Sequence, residues 1–180
     1  NKLKNFKKSY KTNTYKSLKM LVKNEKFDLI VLSVTTSNQF KILKQILELT
    51  RNKIILCEKP CTENLSQIKK ISNLSERKNS KCFVNFQRLY LNSTKKIKKI
   101  LSKKDNIKIN VTYSSGILNS ASHYISLFLN FFGNNYIVNK LKFKKKLSKD
   151  FAANFTLRYP KRIINFKYKN NYKKIHGGFE

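Results

Sequence analysis

Residues 28–38 read Asp-Leu-Ile-Val-Leu-Ser-Val-Thr-Thr-Ser-Asn. Their apolar part, residues 29–34, is nearly continuous, which is typical of a parallel strand covered on both faces. The polar residues from Thr35 to Asn38 predict a turn directly after that strand. The stretch therefore predicts one strand of an open α/β sheet.

Helices and strands are predicted to alternate on both sides of this strand. That order, with short connections, is satisfied economically only by an open parallel sheet with right-handed crossovers. Ligands of such sheets bind outside the carboxyl ends of the strands, and three polar loops fall there. Thr62 or Asn64 can cap the third helix. The loops are residues 35–38, 58–60 and 85–88, the helices residues 15–26, 40–49 and 62–74, and the further strands residues 53–57 and 81–86.

The pattern changes after about residue 90. A basic helix is predicted first, then an alternating strand, then a helix with a thick apolar face. Three alternating segments with short turns follow, and they predict a mainly antiparallel sheet. The fold class is therefore α/β with a parallel sheet, followed by an α+β part. The segments are residues 93–102, 106–113, 118–132, 136–144, 151–159 and 162–168.

The composition is strongly basic, with 40 Lys plus Arg against 9 Asp plus Glu and a formal charge of +31. Such a charge raises nucleic acid as a partner. However, the lysines are spread over every predicted element, and Lys, Asn and Ile are over-used together. This favours the codon bias of an AT-rich genome over a nucleic-acid-binding face. Binding to nucleic acid is expected only through non-specific charge.

The chain has no apolar run of the about 20 residues that a membrane-spanning helix needs. Its N-terminus is basic and polar, and because it begins with Asn1 rather than Met we expect a fragment or a trimmed start. Cys57, Cys61 and Cys82 match no zinc spacing, so no metal is expected. An odd number of cysteines fits a reducing, cytoplasmic compartment. Cys57 and Cys82 lie in strand-like runs and are interpreted as small buried hydrophobes.

Glu58, Lys59 and Pro60 place a charged pair directly after the second apolar strand. A lysine held at a strand end can donate a hydrogen bond to a substrate hydroxyl and stabilise the alkoxide that develops as hydride leaves. The alternative is a solvated strand end in a lysine-rich protein. Taken alone, the residues favour that alternative.

His123, in the predicted helix of residues 118–132, is a candidate proton acceptor. Asn119 lies four residues earlier, which in a helix is one turn away on the same face. The alternative is a structural core histidine. Arg88 follows the third strand and could hold a substrate or cofactor oxygen, or lie on the surface. His176, in a glycine turn, is a weaker candidate.

Four segments occur in an order that resembles the Gfo/Idh/MocA oxidoreductases, the relatives of glucose–fructose oxidoreductase and inositol dehydrogenase. The resemblance covers about residues 15–135 and implies an NAD or NADP cofactor, a sugar substrate and a homo-oligomer. It implies that residues 1–90 are the C-terminal part of a Rossmann domain and residues 91–180 an incomplete substrate and oligomerisation domain. The segments are residues 28–38, Cys57-Glu58-Lys59-Pro60, Val84-Asn85-Phe86-Gln87-Arg88 and residues 116–125.

The resemblance also implies roles for individual residues. Lys59 matches the lysine beside the nicotinamide and the substrate hydroxyl, and His123 matches the proton-transfer histidine, with Asn119 replacing its aspartate partner. The remaining matches are contacts with the cofactor: Thr35, Thr36, Asn38, Glu58 and Arg88.

The departures from the family pattern define the alternatives. The glycine-rich turn that would hold the pyrophosphate is absent, so cofactor affinity of this chain is expected to be poor. Phe40 replaces a family histidine, and Asn119 would stabilise a protonated imidazole less than aspartate. The short stretch between Tyr113 and Gly116 suggests the branch that acts on nucleotide sugars or surface-polysaccharide precursors. The alternatives are a non-catalytic basic binding protein and an inactive remnant of the fold.

Overall fold

A computed structural model describes residues 2–147, 150–170 and 178–179 of the chain, the last two by their backbone alone. The chain divides into two compact units, Asn1–Asn85 and Phe86–Glu180. Each unit is described by itself below. Among the described residues, no helix is long and apolar enough to span a membrane.

Unit 1 alternates helices with three parallel strands. The strands lie in the order β1-β2-β3, with Leu29 paired to Ile54 and Ile54 paired to Lys81. This confirms the α/β class with a parallel sheet; helix α1 was not predicted. The elements are α1 (Lys2–Tyr10), α2 (Leu18–Asn24), β1 (Leu29–Leu32), α3 (Thr36–Leu49), β2 (Ile54–Glu58), α4 (Leu65–Arg77) and β3 (Lys81–Asn85).

Side-chain caps fix two of the helix starts. Ser17 accepts a hydrogen bond from Met20 N before α2, and Asn64, rather than Thr62, accepts one from Gln67 N before α4. Helix α3 begins earlier than predicted, because Thr35 is already its N-cap residue in an extended conformation.

The prediction of a polar turn at residues 35–38 is therefore wrong for most of that segment. Residues 36–38 are helical. Asn38 N donates to Thr35 O at 2.9 Å, and Asn38 Nδ2 donates to Thr35 Oγ1 at 3.1 Å. These bonds fold the polar residues into the first turn of α3 instead of a separate loop.

The sheet of unit 1 is covered on one face only. Both α3 and α4 contribute to the core on that face, where Ile55 and Cys57 are fully buried. The opposite face is apolar but exposed, so the prediction of strands covered on both faces is wrong within the described residues. The exposed fractions there are 54% for Leu29, 62% for Val31, 46% for Ile54 and 51% for Phe83.

Unit 2 holds a five-stranded sheet in the order β5-β6-β7-β4-β8. Strands β5, β6 and β7 are antiparallel neighbours, which confirms the mainly antiparallel prediction. The parallel pairing of β4 with β7 was not predicted. The elements are a 3₁₀ turn (Gln87–Tyr90), α5 (Asn92–Ser102), β4 (Ile107–Tyr113), a π-helical turn (Ile117–Ala121), α6 (Ser122–Phe132), β5 (Ile137–Leu147), β6 (Asp150–Tyr159), β7 (Arg162–Tyr168) and β8 (Gly178–Phe179).

The core of unit 2 is aromatic. Phe155 stacks on Phe166 with ring centroids 4.4 Å apart, and Phe128 of α6 meets Phe166 edge to face. The hydroxyl of Tyr113 donates to Ala153 O and accepts from Ala153 N, so this buried polar group is satisfied. The helix thus covers one face of the sheet with large, closely packed side chains.

The other face of this sheet is polar where β6, β7 and β4 meet. Thr156 Oγ1 donates to Asn165 Oδ1, and Asn165 Nδ2 donates to Asn110 Oδ1, both at 3.0 Å. The three side chains form a continuous row of hydrogen bonds across β6, β7 and β4. These three strands therefore need no apolar cover on this face.

Candidate active site

The carboxyl ends of the three strands of unit 1 lie at one edge with the N-terminus of α3. Glu58 is the last residue of β2 and pairs in register with Asn85, the last residue of β3. Asn85 Nδ2 donates to Glu58 Oε1 at 2.9 Å. This edge holds the predicted candidates of unit 1.

Gln39, in the first turns of α3, holds the segment that carries Lys59. Its Nε2 donates to Glu58 O at 2.8 Å and to Pro60 O at 3.1 Å. The side chain is 1% exposed, and its Oε1 has no hydrogen-bond partner in the described part of the chain. The carbonyls on both sides of Lys59 are therefore fixed by one buried amide.

Sequence reasoning missed Gln39. The available signal was a polar residue beside Phe40 in an otherwise apolar helix face, and this signal is common on surface helices. Its partners lie 19 and 21 residues away. Only the fold brings the amide to the Lys59–Pro60 peptide, which is cis.

Thr35, Thr36 and Asn38 stand at the N-terminus of α3, at the same edge. Thr35 Oγ1 lies 3.4 Å from Ser37 Oγ and accepts from Asn38 Nδ2. The side chains of Thr35 and Asn38 are exposed. The backbone N–H groups of a helix N-terminus can bind an anionic or polar group of a ligand.

The residues of unit 1 fit the nicotinamide and ribose end of a dinucleotide better than its central pyrophosphate. Hydroxyl, amide, carboxylate and ammonium groups lie at the sheet edge, where a ribose and a nicotinamide need hydrogen-bond partners. The four glycines of the chain are at positions 116, 133, 177 and 178, so residues 1–85 contain no glycine-rich pyrophosphate turn.

His123 lies in the first turn of α6 in unit 2. Its ring meets the edge of Phe86 at 6.2 Å between centroids, and Ser126 Oγ donates to His123 O at 2.8 Å. Asn119 lies in the preceding π-helical turn. The four-residue spacing therefore crosses a junction between two helix types and is not one α-helical turn, as the sequence had suggested.

Arg88 lies in the 3₁₀ turn of unit 2. Its guanidinium carbon is 5.1 Å from the centre of the Tyr124 ring, next to His123 in the chain. Thr94 Oγ1 donates to Arg88 O at 2.6 Å, which fixes the turn to α5. The structure thus holds Arg88 against the helix that carries His123 through a cation–π contact.

Asp150 anchors the start of that helix. Its carboxylate accepts hydrogen bonds from Leu118 N and Asn119 N, both at 3.0 Å, and from Phe151 N. A carboxylate at a helix N-terminus is stabilised by the unpaired N–H groups there. Sequence reasoning missed Asp150, because it is the first residue of β6 and more than 30 residues from its partners in the helix.

Two groups of candidates are thus defined, one in each unit. Thr35, Thr36, Asn38, Glu58 and Lys59 share the sheet edge of unit 1, and Arg88, Asn119 and His123 lie on or beside the α6 helix of unit 2. His176 lies outside the described residues. Within the described residues, no group of His, Cys, Asp or Glu could hold a metal ion.

Residues 1–86 match a family model described as "Oxidoreductase family, NAD-binding Rossmann fold". The first unit is therefore of the NAD-binding oxidoreductase class. The matched model is that of the Gfo/Idh/MocA family, and it confirms the resemblance inferred from the sequence. The prediction of a nicotinamide dinucleotide as the family's cofactor is also confirmed, since the family is NAD-binding. No curated protein matches the chain in a sequence comparison.

Solved structures share the fold over nearly the whole chain. The dehydrogenase MviM from Clostridium difficile has a TM-score of 0.77 at 21% identity over 94% of this chain. The oxidoreductase yvaA from Bacillus subtilis has a TM-score of 0.76 at 16% identity over 98%. The WlbA (WbpB) dehydrogenase from Thermus thermophilus, in complex with NAD and alpha-ketoglutarate, has a TM-score of 0.68 at 14% identity over 88%.

The chain is shorter than these neighbours. It spans 59% of the MviM chain, 57% of the yvaA chain and 56% of the WlbA chain. At these identities the likeness establishes the fold of both units. The activity of a whole protein of this kind belongs to the proposal below.

Proposed function

We propose that this chain is the catalytic part of a NAD(P)-dependent oxidoreductase that acts on a hydroxyl group of a sugar or nucleotide sugar. The single observation that carries the proposal is the Glu58-Lys59-Pro60 segment at the carboxyl edge of an NAD-binding-type sheet. Gln39 and Asn85 hold this segment from two sides. A generic solvated strand end would not require a buried amide on both flanking carbonyls.

Lys59 is proposed to donate a hydrogen bond to the substrate hydroxyl. Its ammonium would stabilise the negative charge that develops on the oxygen as the carbon–hydrogen bond breaks. The bound dinucleotide supplies the hydride acceptor. Gln39 fixes the backbone around Lys59. The lysine therefore needs to move little when negative charge develops on the substrate oxygen.

His123 is proposed to accept the hydroxyl proton. A neutral imidazole is suited to this transfer near neutral pH. Asp150 fixes the start of its helix through Leu118 N and Asn119 N. Asn119 is proposed as the polar neighbour that replaces the family aspartate.

The cofactor is proposed to contact Thr35, Thr36, Asn38, Glu58 and Arg88. The absence of a glycine-rich turn from residues 1–85 leaves the pyrophosphate without its usual partner in this sequence. We therefore expect weak binding of NADH by the 180-residue chain. Fluorescence titration checks this expectation, and micromolar affinity would contradict it.

Activity assays test the proposal directly. The chain is incubated with saturating NAD⁺ or NADP⁺ and a panel of sugars and nucleotide sugars, and reduced cofactor is followed by absorbance. Lys59→Ala and His123→Ala are each expected to lower the rate by about 10²- to 10⁴-fold. The matched control is Lys53→Ala, which removes a lysine next to the opposite end of β2.

Two results would count against an oxidoreductase. Turnover that persists in Lys59→Ala would remove the assigned role of the lysine. An absence of turnover with every substrate at saturating cofactor would favour an inactive remnant, as Phe40 and Asn119 suggest.

A basic binding protein is the second candidate, and the charge of +31 favours it. The outward face of the unit 2 sheet carries Lys108 and Lys167 beside the Asn110–Asn165 pair. Retention on duplex or single-stranded nucleic acid above about 0.2 M salt would support this function. Loss of retention below that concentration, without sequence preference, would mean generic attraction.

The location, oligomeric state and domain roles of the enzyme are proposed from the family resemblance. We propose a cytoplasmic homo-oligomer with residues 1–90 as the dinucleotide-binding part and residues 91–180 as the substrate and oligomerisation part. Sedimentation of the purified chain measures the oligomeric state.

A further inference from the structure

A cleft of about 430 Å³ opens at one end of the unit 2 sheet, where β6 turns into β7 and where β4 and β5 begin. None of the residues that line it is acidic, and four are cationic: Lys108, Arg158, Lys161 and Arg162. The cleft lies wholly within unit 2. A concave site with this charge favours an anionic ligand.

The cleft is separate from the candidate active site. Strand β4 has seven residues and runs from the cleft toward Gly116 and the turn that precedes His123, so it spans roughly 20 Å. Neither Arg88 nor Asn119 nor His123 is among the residues that line the cleft. A ligand held here would therefore leave the candidate active site open.

Two of the four cations already have partners. Lys161 Nζ donates to Asp105 Oδ2 at 2.8 Å, and Arg162 Nη2 donates to Lys104 O at 2.9 Å and to Asp105 Oδ1 at 3.3 Å. The guanidinium carbon of Arg162 also lies 4.6 Å from the centre of the Phe132 ring. These contacts make Lys161 and Arg162 structural parts of the cleft wall.

Arg158 and Lys108 are the cations available to a ligand. Both are exposed, and neither forms an ion pair or a side-chain hydrogen bond within the described part of the chain. Arg158 pairs in register with Ile163, and Ile163 pairs in register with Lys108. The two cations thus lie on either side of Ile163 on one face, two strand spacings or roughly 10 Å apart at the backbone. Both long side chains can converge on one group above Ile163.

Apolar side chains continue this row beyond Arg158. Ile137 of β5 pairs in register with Arg158 and is 65% exposed. Tyr136 precedes it, lines the same cleft and contacts Tyr159 with ring centroids 5.5 Å apart. An apolar surface beside two available cations suits a ligand that carries an anionic group on an apolar or ring-shaped body.

The composition of the chain does not account for Arg158. Lysine is abundant throughout the chain, but there are five arginines, and two of them line this cleft. Arg162 is explained by its packing on Phe132. Arg158 has no such contact, and its planar guanidinium can donate paired hydrogen bonds to phosphate oxygens.

We propose that this cleft binds a small phosphate monoester, with the phosphate between Arg158 and Lys108 and the organic part against Ile137 and Tyr136. A phosphate monoester carries close to two negative charges near neutral pH, which matches two available cations better than a single carboxylate does. The site goes beyond the proposed function, and its occupancy does not depend on a nicotinamide cofactor.

Calorimetric titration of the 180-residue chain with phenyl phosphate tests the site. A buffer with about 0.15 M salt screens exposed charges beyond about 8 Å and so suppresses attraction to the general charge of the chain. We expect a Kd of about 1 mM or tighter. Inorganic phosphate should bind about fivefold more weakly, because it has no apolar part to bury against Ile137.

Variants of the exposed lining residues locate the ligand. Arg158→Ala and Lys108→Ala should each weaken the binding of phenyl phosphate about tenfold, since each removes a charged hydrogen-bond donor. Arg158→Lys keeps the charge and should restore only part of the affinity, because an ammonium cannot donate the paired hydrogen bonds. Ile137→Ser should lower the affinity for phenyl phosphate to that for inorganic phosphate.

Lys142→Ala is the matched control. Lys142 is an exposed lysine of β5 that pairs in register with Asn154 and does not line the cleft. Its removal takes the same charge from the same sheet and should leave the affinity unchanged. Circular dichroism of each variant checks that the fold is kept.

Four results would each overturn the proposal. They are an absence of phenyl phosphate binding at concentrations up to about 10 mM, an unchanged affinity in Arg158→Ala, an equal loss of affinity in Lys142→Ala and Lys108→Ala, and equal affinities for phenyl phosphate and inorganic phosphate. None of these measurements uses a nicotinamide cofactor or turnover, so a failed activity assay and a failed phosphate titration are distinguishable.

Discussion

The two sheets of the protein differ in the side chains that their outer faces carry. In unit 1 the face away from α3 and α4 carries Leu29, Val31 and Phe83, each more than half exposed. In unit 2 the face away from α6 carries a hydrogen-bonded row of Thr156, Asn165 and Asn110. The outer face of the unit 1 sheet is apolar, whereas strands β6, β7 and β4 of unit 2 pair polar groups on theirs; the edge strand β5 of unit 2 still exposes Ile137 and Leu141.

The difference shows which outer sheet face leaves its apolar side chains unburied. Parallel sheets are normally covered on both faces, whereas mixed and antiparallel sheets can expose one polar face. Unit 2 therefore has the pattern of a mixed sheet with one covered face, and its core includes Tyr113, Phe128 and Phe166. Unit 1 has a smaller core on one side only. We expect mutations in unit 2 to cost more than matched mutations on the outer face of unit 1.

The largest expected effect is for Phe166→Ala. Phe166 is 2% exposed and stacks on Phe155, so the substitution should lower the free energy of unfolding of unit 2 by about 3–5 kcal/mol. Phe83→Ala is the matched change in unit 1 and should cost about 1 kcal/mol or less, because its ring is half exposed. Urea unfolding followed by circular dichroism measures both, and equal losses would contradict the comparison.

Gly116→Ala should have the next largest effect. A Cβ at this position would lie 2.3 Å from Asp150 Oδ2, and the residue has a φ of +85°. The substitution should lower the free energy of unfolding by about 3 kcal/mol. It adds backbone strain and displaces the carboxylate that accepts hydrogen bonds from Leu118 N and Asn119 N.

Gly133→Ala is its control. Gly133 has a φ of +79°, but its added Cβ would meet nothing within 4 Å. Only the backbone strain should remain, at about 1 kcal/mol. If the two glycine variants have the same melting temperature, Asp150 does not anchor the start of α6 as described.

Gln39→Leu tests the edge of unit 1 and should cost about 2 kcal/mol. The substitution keeps an apolar body in α3 but leaves Glu58 O and Pro60 O without their donor. Gln45→Leu changes an exposed glutamine of the same helix and should be nearly neutral. Thermal melting compares the two, and a neutral Gln39→Leu would show that the amide does not hold the Lys59 segment.

The smallest effect is expected for Val31→Thr. Val31 is 62% exposed, so stability should change by no more than about 0.5 kcal/mol, while self-association should decrease with the loss of an apolar side chain. Leu32→Thr, at the next position of β1 and only 4% exposed, should be strongly destabilising. Sedimentation and urea unfolding measure the two quantities. Similar costs at both positions would mean that the outer face of unit 1 is covered.

Local pattern predicted most of the elements. The run at Leu29–Leu32 and the helical spacing after Asn64 are properties of neighbouring residues, and the structure has a strand and a helix there. Helix α1 was missed although Leu3, Phe6 and Tyr10 recur at helical spacing, and none of its residues is buried. The parallel pairing of β4 with β7 was not predictable, because it joins segments that share no local signal.

The candidate site was predictable only in part. Lys59 and His123 stood out because a charged residue after an apolar strand and a rare histidine are visible in the sequence. Gln39 and Asp150 did not, because their importance comes from hydrogen bonds to residues far along the chain. The roles of Lys59 and His123 remain predictions until their variants are assayed.

The Asn110–Asn165 hydrogen bond joins residues 55 positions apart in the chain. Closing so long a loop costs entropy before any contact is gained, and such pairings slow folding. The hairpins of β5, β6 and β7 can form from neighbouring segments, but β4 must wait for β7 to be made. During synthesis on the ribosome, β4 therefore leaves the exit tunnel without its central neighbour, and it can join the other strands of unit 2 only when residues 162–168 have followed.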